Sequence, residues 1–421
     1  MIPPSRSLLP FVLTLLTLLI RTVSAEVVIN EIHYNPPANP VRQEFIELYN
    51  PGASVVVLSG WRLSGAVTYA FPNGTSIPAN GYLVIAEHPP TLLATLGAVA
   101  IGPYAGQLAS EGETVRLRGP DDAIIDEVDY KVGFPWPVAA NGEGPSIELI
   151  NPTLDNELGS SWRASQVPPT PGTQNSVFAA NAAPNIRKVL HTPNQPTATD
   201  PVVITALVTD PEGVANVTLE YQVVAPGAYI PSHLPLPISG NNINPLVPRS
   251  ANPAYASGWT SVPMLDNGTG GDLLAGDGIF TVTLPPQAHR TLLRYRITVE
   301  DGLGLTARVP YPDDTSLNFA CFIYNGVPDY NGHPSATLQT LPVYHLLTRA
   351  ADYSQCFAYD SADRINQGSE ARFFYNWSGT IVYDGVVYDN ISYRLRGAVD
   401  ESCARASGRG RLSCRQVFEV R

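Results

Sequence analysis

Apolar and polar residues alternate with a period of two along many short runs of the chain. In the run 114–118, Val115 and Leu117 alternate with two arginines, and in the run 214–221 apolar residues occupy every second position from Val217. Such alternation is typical of a strand with one wet face and one packed face. Turn clusters rich in Pro, Gly and Asn stop most of these runs. The pattern therefore predicts short antiparallel strands joined by turns.

The strand runs fall into three groups, separated by segments rich in proline and polar residues. The first group spans residues 26–165 and the second spans residues 185–312. We predict an all-β chain in which each of these groups is an antiparallel β-sandwich, the two in tandem. The Pro-rich segment 166–184 between them is expected to be an extended spacer. A second linker, 313–340, precedes a third group at 341–421.

The first 25 residues have the pattern of an export signal. An apolar run, 8–20, follows Arg6 and precedes a Val-Ser-Ala sequence that ends at Ala25. We interpret residues 1–25 as a secretory signal peptide that is cleaved after Ala25. An uncleaved anchor is the alternative, but a membrane core needs about 20 apolar residues. We therefore expect a secreted or cell-surface protein with no transmembrane anchor after cleavage.

Composition and charge narrow the class of partner. The 40 prolines and 34 glycines, with 15% charged residues, agree with a turn-rich β-protein. The chain has 37 acidic and 25 basic residues, and its formal net charge is −12 at pH 7. A charge of this sign repels phosphate backbones, so it argues against nucleic acid as a partner.

Six motifs in the first unit occur in an order that resembles one known family. They are VINEI (28–32), EFIELYNP (44–51), LSGWRL (58–63), IPANGYLV (77–84), GETVRL (112–117) and DEVDY (126–130). This series resembles the bacterial lamin-tail domain, and PSIELI (145–150) and SSWR (160–163) resemble its closing strands. The resemblance implies an immunoglobulin-like fold that acts as a binding or display module, and it implies no catalytic residues.

The second and third groups resemble other modules of secreted bacterial proteins. The second resembles immunoglobulin-like or fibronectin-type sandwiches. In the third, the motifs that resemble the opening of the CotH kinase family are LPVYHLL (341–347), ARFFYNW (371–377), GTIVYDG (379–385) and YDNISYRLRG (388–397). This resemblance implies a partial, mixed α/β segment and, for a complete kinase, the use of ATP and magnesium.

Arg394 and Arg396 are the residues of the third group that match phosphate contacts of the CotH family. The alternative interpretation, which we favour, is that both are surface arginines of a strand. From about Ala398 the chain is rich in arginine and has little apolar periodicity. We interpret this end as a reading-frame scar or a truncation, and a basic tail for an acidic surface is the alternative.

Aspartate and glycine cluster in the second group in a pattern that suits calcium. Asp266, Asn267, Asp272 and Asp277 offer carboxylate and amide oxygens, and the glycines between them allow a tight loop. The spacing is not that of an EF-hand, because the closing glutamate is absent. The alternative is a set of turns in which each aspartate caps its own backbone.

Two further groups of residues carry weaker chemical signals. Glu31, Glu44 and Glu47 form an acidic trio in the first unit. Two suitably spaced carboxylates can cleave a glycosidic bond, but we favour a solubility role for these glutamates.

All four cysteines lie in the last 101 residues, and four cysteines allow three pairings. If the end of the chain is a scar, Cys321 with Cys356 is the candidate disulfide.

These observations favour an exported, non-catalytic binding or scaffold protein. Its expected partner is a protein or a glycan at the cell envelope. The alternative is an atypical protein kinase of the CotH type that is incomplete in this chain.

Overall fold

The computed structural model describes residues 27–37, 42–166, 168–234, 250–314, 316–354, 377–396 and 417–420. The predicted signal peptide, 1–25, and residues 397–416 near the end of the chain lie outside these ranges. No helix in the described part of the chain is long and apolar enough to cross a membrane.

The first unit is a sandwich of two five-stranded antiparallel sheets. Its elements are β1 (Val28–His33), β2 (Phe45–Asn50), β3 (Val56–Val57), β4 (Arg62–Gly65), β5 (Val67–Ala70), β6 (Ser76–Ile77), β7 (Gly81–Ala86), α1 (Pro89–Leu96), β8 (Ala105–Gly106), β9 (Gly112–Arg118), β10 (Ile124–Lys131), β11 (Ile147–Leu149) and β12 (Trp162–Ala164). One sheet has the order β12-β11-β1-β2-β7 and the other β10-β9-β4-β5-β8, while β3 and β6 form a small separate pair. The predicted antiparallel sandwich is confirmed.

The alternation seen in the sequence decides which side chains enter the core of this sandwich. On β9, Val115 and Leu117 are fully buried between the sheets, and Arg116 and Arg118 point outward to acidic partners. The core also contains Trp162, whose indole N–H donates to the carbonyl of Asn156 at 2.9 Å. The indole therefore enters the core without leaving its polar group unpaired.

The second unit is a sandwich built in the same way. Its elements are β13 (Asn185–Thr192), β14 (Val202–Thr209), β15 (Val214–Val224), β16 (His233–Leu234), β17 (Ser250–Ala251), α2 (Pro253–Ala256), β18 (Thr260–Pro263), β19 (Ile279–Leu284), β20 (Leu292–Asp301), β21 (Thr306–Val309) and β22 (Phe319–Phe322). The sheet β13-β14-β19 faces a sheet of order β18-β15-β20-β21, in which β22 also pairs with β20. Val217 and Leu219 of β15 are buried in its core, as their alternation predicted.

The two segments predicted to be linkers are largely folded against the sandwiches. Residues 168–178, in the expected spacer, lie on the outer face of the first sheet, where carboxylates accept hydrogen bonds from the segment. β22, in the second expected linker, belongs to the second sandwich because it pairs with β20 and Cys321 is buried in the core. Proline prevents regular pairing in such a segment, but it does not prevent docking on a neighbouring sheet.

The two sandwiches also touch directly. Phe134 follows β10 and packs edge-on against Phe319, with 5.2 Å between the ring centroids. The hydroxyl of Tyr311 donates to the carbonyl of Pro135 at 3.2 Å, and the guanidinium of Arg163 lies 4.0 Å from the centroid of the Tyr311 ring. These contacts join the units by apolar and cation–π packing.

A third sheet packs on the second sandwich. It contains β23 (Tyr344–Leu347), β24 (Trp377–Tyr383), β25 (Val386–Arg396) and β26 (Val417–Val420) in that order, and the short helix α3 (Ser335–Leu338) precedes it. Arg294 of β20 is 1% exposed, and its guanidinium donates two hydrogen bonds to the carboxylate of Asp389 on β25, at 2.8 and 3.0 Å. Tyr229 and Tyr255 flank the same guanidinium, so this buried ion pair fixes the third sheet in place.

We expect Asp389→Ala to destabilise the docked third sheet by about 3–5 kcal/mol, because it leaves the charge of Arg294 buried without a partner. Scanning calorimetry should show the affected transition lowered by roughly 10 °C. Glu212→Ala removes an exposed acid elsewhere in the second unit and is expected to change stability by at most about 0.5 kcal/mol. Equal stability of the two variants would contradict this role of the ion pair.

Candidate functional site

Three glutamates lie side by side on the first sheet, and we call them the glutamate row: Glu148 of β11, Glu31 of β1 and Glu47 of β2. Glu31 is directly opposite Glu148 on one side and Glu47 on the other. Directly opposite residues of paired strands share a face, so the three carboxyl groups project from the sheet on the side away from the core. All three are nonetheless fully buried.

A strap of chain, residues 168–178, covers the glutamate row. Each glutamate accepts at least one hydrogen bond from the strap. The backbone N–H of Thr170 donates to Glu31 Oε1 at 3.2 Å, and that of Gly172 donates to Glu47 Oε2 at 2.5 Å. Glu148 accepts three hydrogen bonds: from Thr170 Oγ1 at 2.6 Å, Ser176 Oγ at 2.8 Å and Val177 N at 3.1 Å. The strap carries no charged side chain. It therefore covers the row with hydrogen-bond donors rather than with counter-charges.

Asn175 anchors the strap to the sheet below it. Its amide group donates to the carbonyls of Asn30 and Leu149 at 3.0 and 2.8 Å. The side chain of Asn30 donates in return to Asn175 Oδ1 at 2.7 Å and to Glu47 Oε1 at 2.8 Å. Asn30 is available for these contacts because β1 has an irregular register between Ile29 and Glu31.

Burial sets the electrostatics of the glutamate row. It raises the pKa of Glu47 to about 8 and, with the charges of Glu47 and Glu148, holds the pKa of Glu31 well above its usual value. No ion pair found among the described residues involves any of the three. Glu31 Oε2 is buried and has no hydrogen-bond partner. Glu31 and Glu47 therefore retain protons at neutral pH, since a lone buried charge is costly.

Glu44, the other member of the trio expected from the sequence, lies apart from the row. Its Oε2 accepts from the hydroxyl of Tyr104 at 3.2 Å and from the N–H of Leu108 at 3.0 Å. Sequence reasoning missed Glu148, which takes its place. The expected solubility role of Glu31 and Glu47 is wrong, because neither carboxyl reaches solvent.

The aspartate loop, residues 266–278, brings three of its four predicted calcium ligands together. Ligand atoms of Asp266, Asp272 and Asp277 all lie within 4.8 Å of one another. The side-chain oxygen of Asn267, the fourth predicted ligand, accepts hydrogen bonds from the N–H and the hydroxyl of Thr269 at 3.0 and 2.7 Å.

Backbone N–H groups of the loop also donate hydrogen bonds to two of these carboxylates. Asp266 accepts from the N–H groups of Gly276 and Gly278 at 2.5 and 2.9 Å, and Asp272 accepts from Gly268 N at 2.5 Å. The loop thus has the capped turns of the alternative interpretation, with carboxylates close enough to share a cation.

The remaining predicted residues are only partly described. Arg394 and Arg396 lie on β25, opposite Glu419 and Val417, but their side chains are outside the described part.

Cys321 is a buried thiol, and burial raises its pKa to about 12. Cys356, Cys403 and Cys414 lie outside the described residues, so the Cys321–Cys356 disulfide stays a prediction.

The comparison with protein families decides the nature of the first sandwich. Residues 21–131 match the Lamin Tail Domain family model. The lamin-tail resemblance is confirmed over these residues, which are about a quarter of the chain. The match does not extend to the closing strands predicted at 145–150 and 160–163. β11 and β12 extend the first sheet of the lamin-tail domain beyond the matched residues. Glu31 and Glu47 thus lie inside the match, whereas Glu148 and the strap lie outside it. The CotH resemblance gains no support from the comparisons.

Comparisons with other proteins add little to this match. No curated protein matches the chain. Among solved structures, Escherichia coli alpha-2-macroglobulin activated by porcine elastase is 10% identical, with 74% of this chain and 23% of that chain covered and a TM-score of 0.19. Salmonella alpha-2-macroglobulin reacted with methylamine is also 10% identical, with 94% and 26% covered and a TM-score of 0.19. The chain spans about a quarter of these proteins, and at such TM-scores the likeness carries no argument.

We expect calcium to bind the aspartate loop weakly, with a dissociation constant of about 0.1–1 mM, because backbone N–H groups compete for the same oxygens. Calorimetric titration of the whole chain measures this. Asp272→Asn should abolish the heat, and Asp121→Asn, at an exposed turn of the lamin-tail domain, should leave it unchanged. If the unaltered chain gives no calcium heat, the loop is a set of turns only.

Proposed function

We propose that the chain is an exported, non-catalytic binding or scaffold protein of the cell surface or extracellular space. The observation that carries this proposal is the closure of the glutamate row. The carboxyl groups best suited to acid–base chemistry in the lamin-tail domain are enclosed by the strap, and their hydrogen bonds hold the strap rather than a substrate. A general acid or base must reach the proton that it transfers.

The outer face of the second lamin-tail sheet is the surface that we propose for binding. This charged face consists of side chains that share one side of β4, β9 and β10: Arg62, Arg116, Arg118, Glu127, Asp129 and Lys131. Both signs of charge are present in local pairs, such as Lys131 with Asp129 at 3.0 Å. A surface of mixed charge suits a polar partner by electrostatic complementarity. We propose a protein or a glycan at the cell envelope as that partner.

The kinase alternative has no observation in its favour. Phosphoryl transfer requires cations that hold phosphates and ligands that hold magnesium. The described part of the third group contains an antiparallel four-stranded sheet and a helical stretch at 350–354. Arg394 and Arg396 lie on β25 of this sheet, but the structure does not describe their side chains.

We expect the triple variant R62A/R116A/K131A to bind cell-envelope fragments about fivefold more weakly than the unaltered chain, a loss of roughly 1 kcal/mol. The control R42A/K188A/R290A removes three exposed cations that lie off the charged face, so it changes the net charge equally. Protease or glycosidase treatment of the fragments distinguishes a protein partner from a glycan. Equal loss in both variants would reject the charged face.

The same preparation tests the absence of kinase activity. We expect no heat when ATP with magnesium is titrated into the chain, because the proposed function uses no nucleotide. Clear nucleotide binding would overturn the proposal in favour of the kinase.

Export is tested separately by N-terminal sequencing of the secreted product. We expect the sequence to begin at Glu26, because the signal peptide is predicted to be cleaved after Ala25.

A further inference from the structure

The glutamate row places three carboxyl groups on adjacent strands without a compensating cation. Opposite residues of paired antiparallel strands are separated by about 5 Å. At that spacing, three negative charges beneath an uncharged strap would repel one another strongly, because the surroundings are poorly solvated. The row is therefore compatible with the closed strap only while its total charge stays low.

The groups around the row do not supply positive charge. Arg163 of β12 is opposite Glu148, but its guanidinium lies over the ring of Tyr311 and donates to the carbonyls of Ser160 and Trp162. His33 lies two residues beyond Glu31, and burial lowers its pKa to about 4, so it is neutral at pH 7.

On β2 and β7, Tyr49 and Tyr82 lie near Glu47 and stack at 4.7 Å. Burial raises the pKa of Tyr82 to about 12, so this phenol is neutral too. The strap has no titratable side chain. The charge of the row therefore depends on its own protons.

We propose that the strap is a proton-dependent latch, closed over the glutamate row while Glu31 and Glu47 carry protons and opened as they lose them. Glu148 accepts three hydrogen bonds from the strap, so it has more donors from the strap than either other glutamate. Glu31 has the weakest hydrogen-bond support for a negative charge, because its Oε2 has no partner. An open strap would expose the outer face of β1, β2 and β11 to solvent or to a partner.

The direction of the pH dependence follows from the raised pKa values. A carboxyl whose pKa is higher in the closed state than in the open state binds more protons when closed. For Glu47 the stabilisation of the closed state is fully present below about pH 4.5, the ordinary pKa of the group, and is lost as the pH rises through about 8. Glu31 acts in the same direction.

Hydrogen exchange of the whole chain at pH 6 and pH 9, corrected for the intrinsic exchange rates, tests the latch. We expect the protection of residues 168–178 to fall at least tenfold between the two pH values. The protection of β20, in the core of the second sandwich, should change less than threefold and so serves as an internal reference.

Glu31→Gln is the informative variant, because its amide nitrogen can take the place of Oε2, which has no partner, and its oxygen can still accept from Ser146 and Thr170. We expect the loss of strap protection in E31Q to be at least threefold smaller than in the unaltered chain. The exposed Glu143→Gln should behave as the unaltered chain does.

Two results would overturn the latch. One is a strap whose protection does not change with pH in the unaltered chain. The other is a loss in E31Q as large as that in E143Q. If E31Q fails to fold, the comparison of the strap with β20 in the unaltered chain still decides the question.

Discussion

Buried carboxyl groups must be enclosed and hydrogen-bonded, and this requirement constrains the path of the chain in the first unit. The glutamate row projects from the outer face of a sheet, where solvent would normally hydrate it. The chain instead returns over that face as a strap and provides backbone N–H groups and hydroxyls. This return directs the chain along the first sheet before it enters β13, so the segment between the two sandwiches is held in place.

A buried ion pair has a similar effect between the second sandwich and the third sheet. Arg294 enters the interface on the central strand β20, and Asp389 reaches it from β25. Each charge is acceptable in the interior only because the other unit supplies its partner. The contacts of Phe134 and Tyr311 join the two sandwiches, so the described units form a connected series.

This arrangement is the basis of the proposal that the chain presents surfaces for binding. The buried glutamates with raised pKa values hold the strap on the first sheet, and the outward charges of β9 and β10 lie in local pairs. Strongly shifted pKa values often mark active sites, but structural networks shift them too. Here the shifted groups are covered by the protein's own chain, and the structural explanation accounts for every contact that they make.

The sequence by itself determined the strands and the faces that they bury, because alternation with a period of two is a local property of the chain. The order of six motifs in the first unit also carried the lamin-tail resemblance. The sequence placed Val115 and Leu117 in the core, and it identified the aspartates that gather in one loop. Only the tertiary structure decided that Glu148 lies beside Glu31 and that the strap closes over both. Strand register and docking of a Pro-rich segment depend on contacts between residues far apart in sequence, which no local pattern records.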